Sequence, residues 1–158
     1  MSTEMKRRIF LKRSFAASAV GVAAGAGLLA PQQILAAWNK EAFESKELDS
    51  ALNALLGSTE YESSGDINVK APDIAENGAV VPITVTTSLE GVESVSVVAS
   101  NNPVPLVANF TLGKGAVGFV STRIKMGKTG DVIAIVKANG KLYSAKKEVK
   151  VTIGGCGG

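Results

Sequence analysis

From residue 80 onward the chain is a series of short runs in which apolar and polar residues partly alternate and β-branched side chains are frequent. The runs are "VVPITVTT", "VESVSVVAS", "LVANFTL", "AVGFVSTRIKM", "DVIAIVKA" and "KLYSAKKEVKVTI". A period of two with Val, Ile and Thr in excess predicts strands. Turn chemistry fills the gaps: Glu76-Asn77-Gly78, Asn101-Asn102-Pro103, Gly113-Lys114-Gly115, Gly127 to Gly130, and Asn139-Gly140. The last of these, a two-residue loop between two strand-like runs, predicts a type I′ hairpin. Upstream the period changes. In "AFESKELDSALNALLG", Leu48, Ala51, Leu52 and Leu55 fall at the spacing of one helical face, and Gly57 stands where a C-terminal cap belongs. The fold class expected is all-β, an immunoglobulin-like antiparallel β-sandwich preceded by a short N-terminal helix. The Cys-Trp-Cys core of true immunoglobulin domains is missing, so that likeness is architectural. "VESVSVVAS" and "DVIAIVKA" are more apolar than a strand with one solvated face needs, which predicts a covering partner.

In the final run Val149, Val151 and Ile153 alternate with Glu148, Lys150 and Thr152, a pattern that ties the chain to a sheet up to Gly154. The sequence then closes with Gly154, Gly155, Cys156, Gly157 and Gly158. Glycines have no side chain to pack and lose the most freedom on ordering, so four of them around one cysteine predict a thiol presented on a flexible arm. At about 3.3–3.6 Å per extended residue, Cys156 can stand about 10 Å beyond Ile153.

The other end carries an address. "KRRIFLKRSFAASAVGVAAGAGLLAPQQILAAW" has a basic start, a weakly apolar run and small residues near a cleavage point, which is the anatomy of an export signal. The run from Phe15 to Ala30 is short for a membrane span. Arg7 and Arg8, followed by Ile9, Phe10, Leu11 and Lys12, match the twin-arginine pattern of bacterial export. The expected division is a cleaved signal over 1–37 (cut after Ala36 or Ala37), a helix and linker over 38–64, the sandwich over 65–153, and the arm over 154–158. The expected location is the periplasm, with no membrane attachment after cleavage because no cysteine follows the signal to take a lipid.

Composition changes the picture by exclusion. Hydrophobic residues make up 46% of the 158, enough for one core. The formal charge of +3 is misleading: setting aside Lys6, Arg7, Arg8, Lys12, Arg13 and Glu4 leaves 12 basic against 13 acidic residues. Such a body is a poor match for nucleic acid, whose binding draws on phosphate neutralisation. There is no histidine and one cysteine, so a His-based general acid or base, a zinc or iron–sulfur site made by this chain alone, and c-type haem attachment are all ruled out. No cofactor is expected.

Cys156 lacks a second cysteine for a redox pair, and as third residue from the end it does not fit the prenylation signal. An intermolecular disulfide joining two copies of a structural sandwich is one reading. A sulfurtransferase is another, although nothing adjacent would lower the thiol pKa. The third is a covalent carrier, whose thin arm delivers a thiol-bound group into the active sites of other proteins. Asp73 and Glu76, beside Asn77-Gly78, read as a solvated turn, since EF-hand ligand spacing is absent. Arg123, the one arginine left after cleavage, reads as a salt bridge or partner contact rather than an anion site.

"VTIGGCGG", taken with "IAENGAVVPITV", "NNPVPLVANFTL", the run from Ser121 to Gly158 and the twin-arginine leader, resembles the SoxY family, the sulfur-substrate carriers of the bacterial Sox thiosulfate-oxidising system. The resemblance covers nearly all the chain. It implies an immunoglobulin-like subunit paired with SoxZ, with Cys156 as the covalent attachment point, Gly154, Gly155, Gly157 and Gly158 as its flexible arm, and no catalysis of its own. It further implies that the c-type cytochrome SoxXA joins thiosulfate to the thiolate as a cysteine S-thiosulfonate. The manganese-dependent hydrolase SoxB would release sulfate and leave a persulfide, and a sulfane dehydrogenase, where present, would oxidise the remaining sulfur.

Overall fold

Alternating valine and isoleucine set the architecture in the computed structural model, which describes residues 39–152. Among the described residues nine strands follow two short helices, α1 (Lys40–Glu44) and α2 (Leu48–Leu56). The strands are β1 (Glu62–Ser63), β2 (Ile67–Lys70), β3 (Ile74–Ala75), β4 (Val81–Thr87), β5 (Val92–Ala99), β6 (Leu106–Thr111), β7 (Phe119–Ile124), β8 (Gly130–Ala138) and β9 (Lys141–Val151). One sheet runs β1-β9-β8-β5-β6, with β3 also on β9; the other runs β2-β4-β7. Together they make the expected immunoglobulin-like sandwich with its short helical start.

Because side chains alternate across a strand, β5 and β8 present two apolar faces. Val95, Val97 and Ala99 of β5, with Val132, Ala134 and Val136 of β8, join Val81, Ile83 and Val85 of β4 in the core between the sheets. Val98 and Ile135 point the other way and form a second cluster with Ala42, Ala51, Leu52, Leu106 and Leu142. The apolar excess of these strands is therefore covered by the chain's own helices, which corrects the expectation that a partner covers it. Each large side chain buried this way contributes about 1.5–3 kcal/mol.

The helices are short and depend on their ends. Asn39 caps α1: its Oδ1 accepts the Ala42 N–H at 3.1 Å, and its Nδ2 donates to the Ala54 carbonyl at 2.6 Å, tying α1 to α2. The sequence suggested one helical stretch, but the chain breaks at Ser45, whose backbone is extended. Gly57, at φ 77°, closes α2 in the left-handed region, its N–H donating to the Asn53 carbonyl at 3.0 Å. At the β8–β9 hairpin both central residues have positive φ, 49° at Asn139 and 75° at Gly140, as a type I′ turn requires.

Most pairing is antiparallel, and the two exceptions lie on one edge of β9. β1 pairs in parallel with Tyr143 and Ser144, and β3 pairs in parallel with Lys150 and Val151. These short pieces, and β2, had no sequence signal long enough to be read as strands. No helix among the described residues is long and apolar enough to cross a membrane.

Candidate functional site

The strand that leads to Cys156 is the longest of the nine, 11 residues, and it is bound along its length. Its register against β8 runs from the hairpin pair Ala138↔Lys141 to Gly130↔Val149. Val149 is fully buried, while Glu148, Lys150 and Thr152 are exposed, so the alternation read from the sequence holds as far as Thr152. Ile153, the arm residues Gly154, Gly155, Gly157 and Gly158, and Cys156 itself lie outside the described residues, as do Arg7 and Arg8.

The last turn of backbone before the arm is held on both edges. The Lys150 N–H donates to the Asp73 carbonyl at 3.0 Å, and the Thr152 N–H to the Ala75 carbonyl at 3.2 Å. Between them the Val151 N–H points the opposite way and donates to Thr129 Oγ1 at 2.9 Å. The segment that brings β3 here is fixed in turn. Asn77 Oδ1 accepts the Ala79 N–H at 2.9 Å in a local turn, and the Gly78 carbonyl accepts the Met126 N–H at 2.7 Å. A Cβ on Gly78 would stand 2.8 Å from Val151 Cγ1 and would also meet the Met126 carbonyl oxygen, so glycine permits this approach.

The residues with alternative chemical readings resolve simply. Asp73 pairs with Lys147 at 2.9 Å, with its own side chain 89% exposed, so it is a surface ion pair beside the arm's root. Glu76 is exposed, and among the described residues no three potential metal ligands converge. Arg123 is exposed on β7 opposite Pro82. It borders a groove of about 370 Å³ with Asn102, Val104 and Lys125, between the free edges of β6 and β7. Among the described residues no carboxylate lies within 4.0 Å of it, so of the two readings offered for it, salt bridge or partner contact, the salt bridge is not formed there.

The described geometry is a long terminal strand held on both edges as far as Thr152. The pattern of sulfur oxidation protein SoxY matches residues 52–156, a span that begins in α2 and ends on Cys156. The chain belongs to the SoxY family. It is 46% identical to the sulfur carrier protein SoxY from Chlorobium limicola f thiosulfatophilum, with a TM-score of 0.61 over 67% of this chain and 96% of that one. A superoxide reductase (neelaredoxin) from Ignicoccus hospitalis is also similar, at 18% identity and a TM-score of 0.49 over 66% of this chain and 91% of that one. No function is inferred from that second likeness. No curated protein matches the chain. Membership of the SoxY family supports a carrier role in sulfur oxidation.

Proposed function

We propose that this protein carries sulfur intermediates covalently on Cys156 during thiosulfate oxidation and performs none of the oxidations itself. The observation that supports this most is the SoxY match, which runs through β9 and ends on the chain's single cysteine. The chemistry is consistent with a chain lacking histidine and a second thiol. In the loading step the Cys156 thiolate and the outer sulfur of thiosulfate form an S–S bond, and the two electrons released pass to a c-type cytochrome of the SoxXA kind. In the next step water attacks the terminal sulfonate. Sulfate and two protons leave, and a persulfide stays on Cys156; a manganese-dependent hydrolase of the SoxB kind performs this step. A sulfane dehydrogenase, where present, oxidises the sulfur that remains.

The same reading includes a SoxZ partner, export in the folded state through Arg7 and Arg8, and a periplasmic location. The partner rests on family membership alone, because the apolar face of β5 and β8 is already covered by α1 and α2. Intact-mass spectrometry after incubation with thiosulfate and the cytochrome tests the proposal. Wild-type protein should gain the thiosulfonate mass, and Cys156→Ser should gain none while remaining folded. An adduct that persists on the serine variant would overturn the assignment.

A further inference from the structure

The two sides of the sandwich are finished differently. On one side β1 and β3, each two residues long, lie along the outer edge of β9. On the other, β6 and β7 are the outermost strands of their sheets, with the groove of about 370 Å³ between them. The β5·β6 pairing is broken by a register shift at Val97/Val98, whereas β7 pairs with β4 without interruption from Phe119 to Ile124. The Thr87 N–H donates to the Gly118 carbonyl at 2.8 Å. By alternation Val120, Thr122 and Ile124 also turn their backbone groups toward β4, and Phe119, Ser121 and Arg123 turn theirs outward. The Lys125 carbonyl shares the outward parity, and Asn102 Nδ2 donates to it at 2.7 Å. The Phe119 N–H folds back onto the Val117 carbonyl. That leaves the N–H groups of Ser121 and Arg123, and the carbonyls of Phe119 and Ser121, without a partner among the described residues.

An open edge is a template for pairing with another chain, and edges are ordinarily blunted by short length, proline or a bulge. β7 has none of these, and Val117 and Phe119 beside it are 79% and 54% exposed. At its other end stand Arg123 and Lys125, with no carboxylate within 4.0 Å of either among the described residues. The edge is thus apolar at one end and cationic at the other. A second copy does not fit that order. Antiparallel pairing of two β7 strands about Ser121 would set Val117 and Phe119 against Lys125 and Arg123, bring groove to groove, and leave the cations of both copies unneutralised. Parallel pairing would oppose like charges, which is destabilising. We infer that the outer edge of β7 docks a different polypeptide: an extended segment that pairs with residues 119–123, lays apolar side chains on Val117 and Phe119, and sets carboxylates at Arg123 and Lys125. Its backbone bonds supply affinity, while the groove, entered by alternate side chains, and the charge order supply selectivity. This docking edge rests on the partner subunit in the reading above and is independent of residues 153–158.

Hydrogen exchange resolved to single amides, in the full chain with and without purified SoxZ, tests this. In the complex the Ser121 and Arg123 amides should exchange about fivefold or more slowly, the gain of one net hydrogen bond each, while Val120, Thr122 and Ile124, already bonded to β4, should not change. Ser121→Pro removes an outward donor and keeps the β4 ladder, as proline on an edge strand can. It should melt as the wild type does and bind SoxZ about fivefold or more weakly. Arg123→Glu leaves the backbone intact, so it serves even where the proline variant does not fold; it should weaken binding about fivefold at low salt and less at about 1 M salt. SoxZ that binds both variants as tightly as the wild type, or that slows exchange only away from β7, would overturn the docking edge and leave the partner standing. SoxZ that does not bind the wild type would overturn that partner, and the docking edge with it. Slow exchange at Ser121 and Arg123 in the chain alone, deepening with its concentration, would put a second copy on the edge and overturn the inference too.

Discussion

The two ends of the described chain are fastened by different forces. At the N-terminal end α1 and α2 sit on the outer face of β5 and β8 through buried side chains, with Leu52, Ala42 and Ala51 fully enclosed. At the C-terminal end the last residues of β9 combine packing, with Val149 fully buried and Val151 set against the main core, with hydrogen bonds to Asp73, Ala75 and Thr129. Apolar packing is strong and tolerant of direction, whereas hydrogen bonds contribute modestly but fix geometry. The helical end is therefore held chiefly by packing, and the strand end by packing together with directed hydrogen bonds on both edges.

Breaking the packed end should have the largest effect. Leu52→Ala removes a fully buried side chain from the cluster with Val98 and Ile135, and should cost about 2–5 kcal/mol in urea denaturation. Because that face lies away from the arm's root, loading of Cys156 in folded protein should stay at the wild-type rate. A loading defect without unfolding would show that the two ends are coupled.

Gly78→Ala attacks the other fastening. The new methyl would press on Val151 Cγ1 and the Met126 carbonyl, and overpacking of this kind costs about 1–3 kcal/mol. Amide exchange at Lys150, Val151 and Thr152 should rise along with the lost stability. If stability falls but those amides stay protected, the β3 segment is not what holds the root.

The smallest change is expected for Asp73→Ala. Its carboxylate meets Lys147 at 2.9 Å but is 89% exposed, and an exposed pair contributes about 0–1 kcal/mol. The Asp73 carbonyl that holds Lys150 is retained in the variant. A loss above about 1 kcal/mol, or one that 1 M salt abolishes in the wild type, would mean that charge rather than backbone pairing anchors β3.

The sequence made the long elements readable because each carries its own period. Val95-Val97-Ala99 and Val132-Ala134-Val136 alternate over enough residues to be seen, and Asn139-Gly140 announces its turn. The helix over Leu48–Leu56 was legible from four apolar positions and a glycine cap. What escaped was short or non-local. β3 is two residues long, and its parallel partner lies about 75 positions away, so no window of sequence contains both. Asp73 to Gly78 thus looked like a solvated turn, although its carbonyls carry the end of β9. Thr129 was hidden for the same reason: it sits in a stretch read only as Gly127 to Gly130, and its role depends on where Val151 arrives in space. The partner expected over β5 and β8 was a misassigned cover, since local hydropathy cannot tell a neighbouring chain from a neighbouring helix. Cys156, singled out in the sequence by its glycines and by being the one cysteine, lies outside the described residues, and the family match extends to it.

Peptide mapping of protein loaded in the presence of thiosulfate tests the central claim most directly. Cleavage after Lys150 releases Val151–Gly158 as one fragment that contains the single cysteine. The carrier account expects the thiosulfonate or persulfide mass on that fragment and on no other, removable by a thiol reductant that restores free Cys156. Sulfur mass on a different fragment, or a terminal fragment that stays unmodified while thiosulfate is consumed, would contradict it.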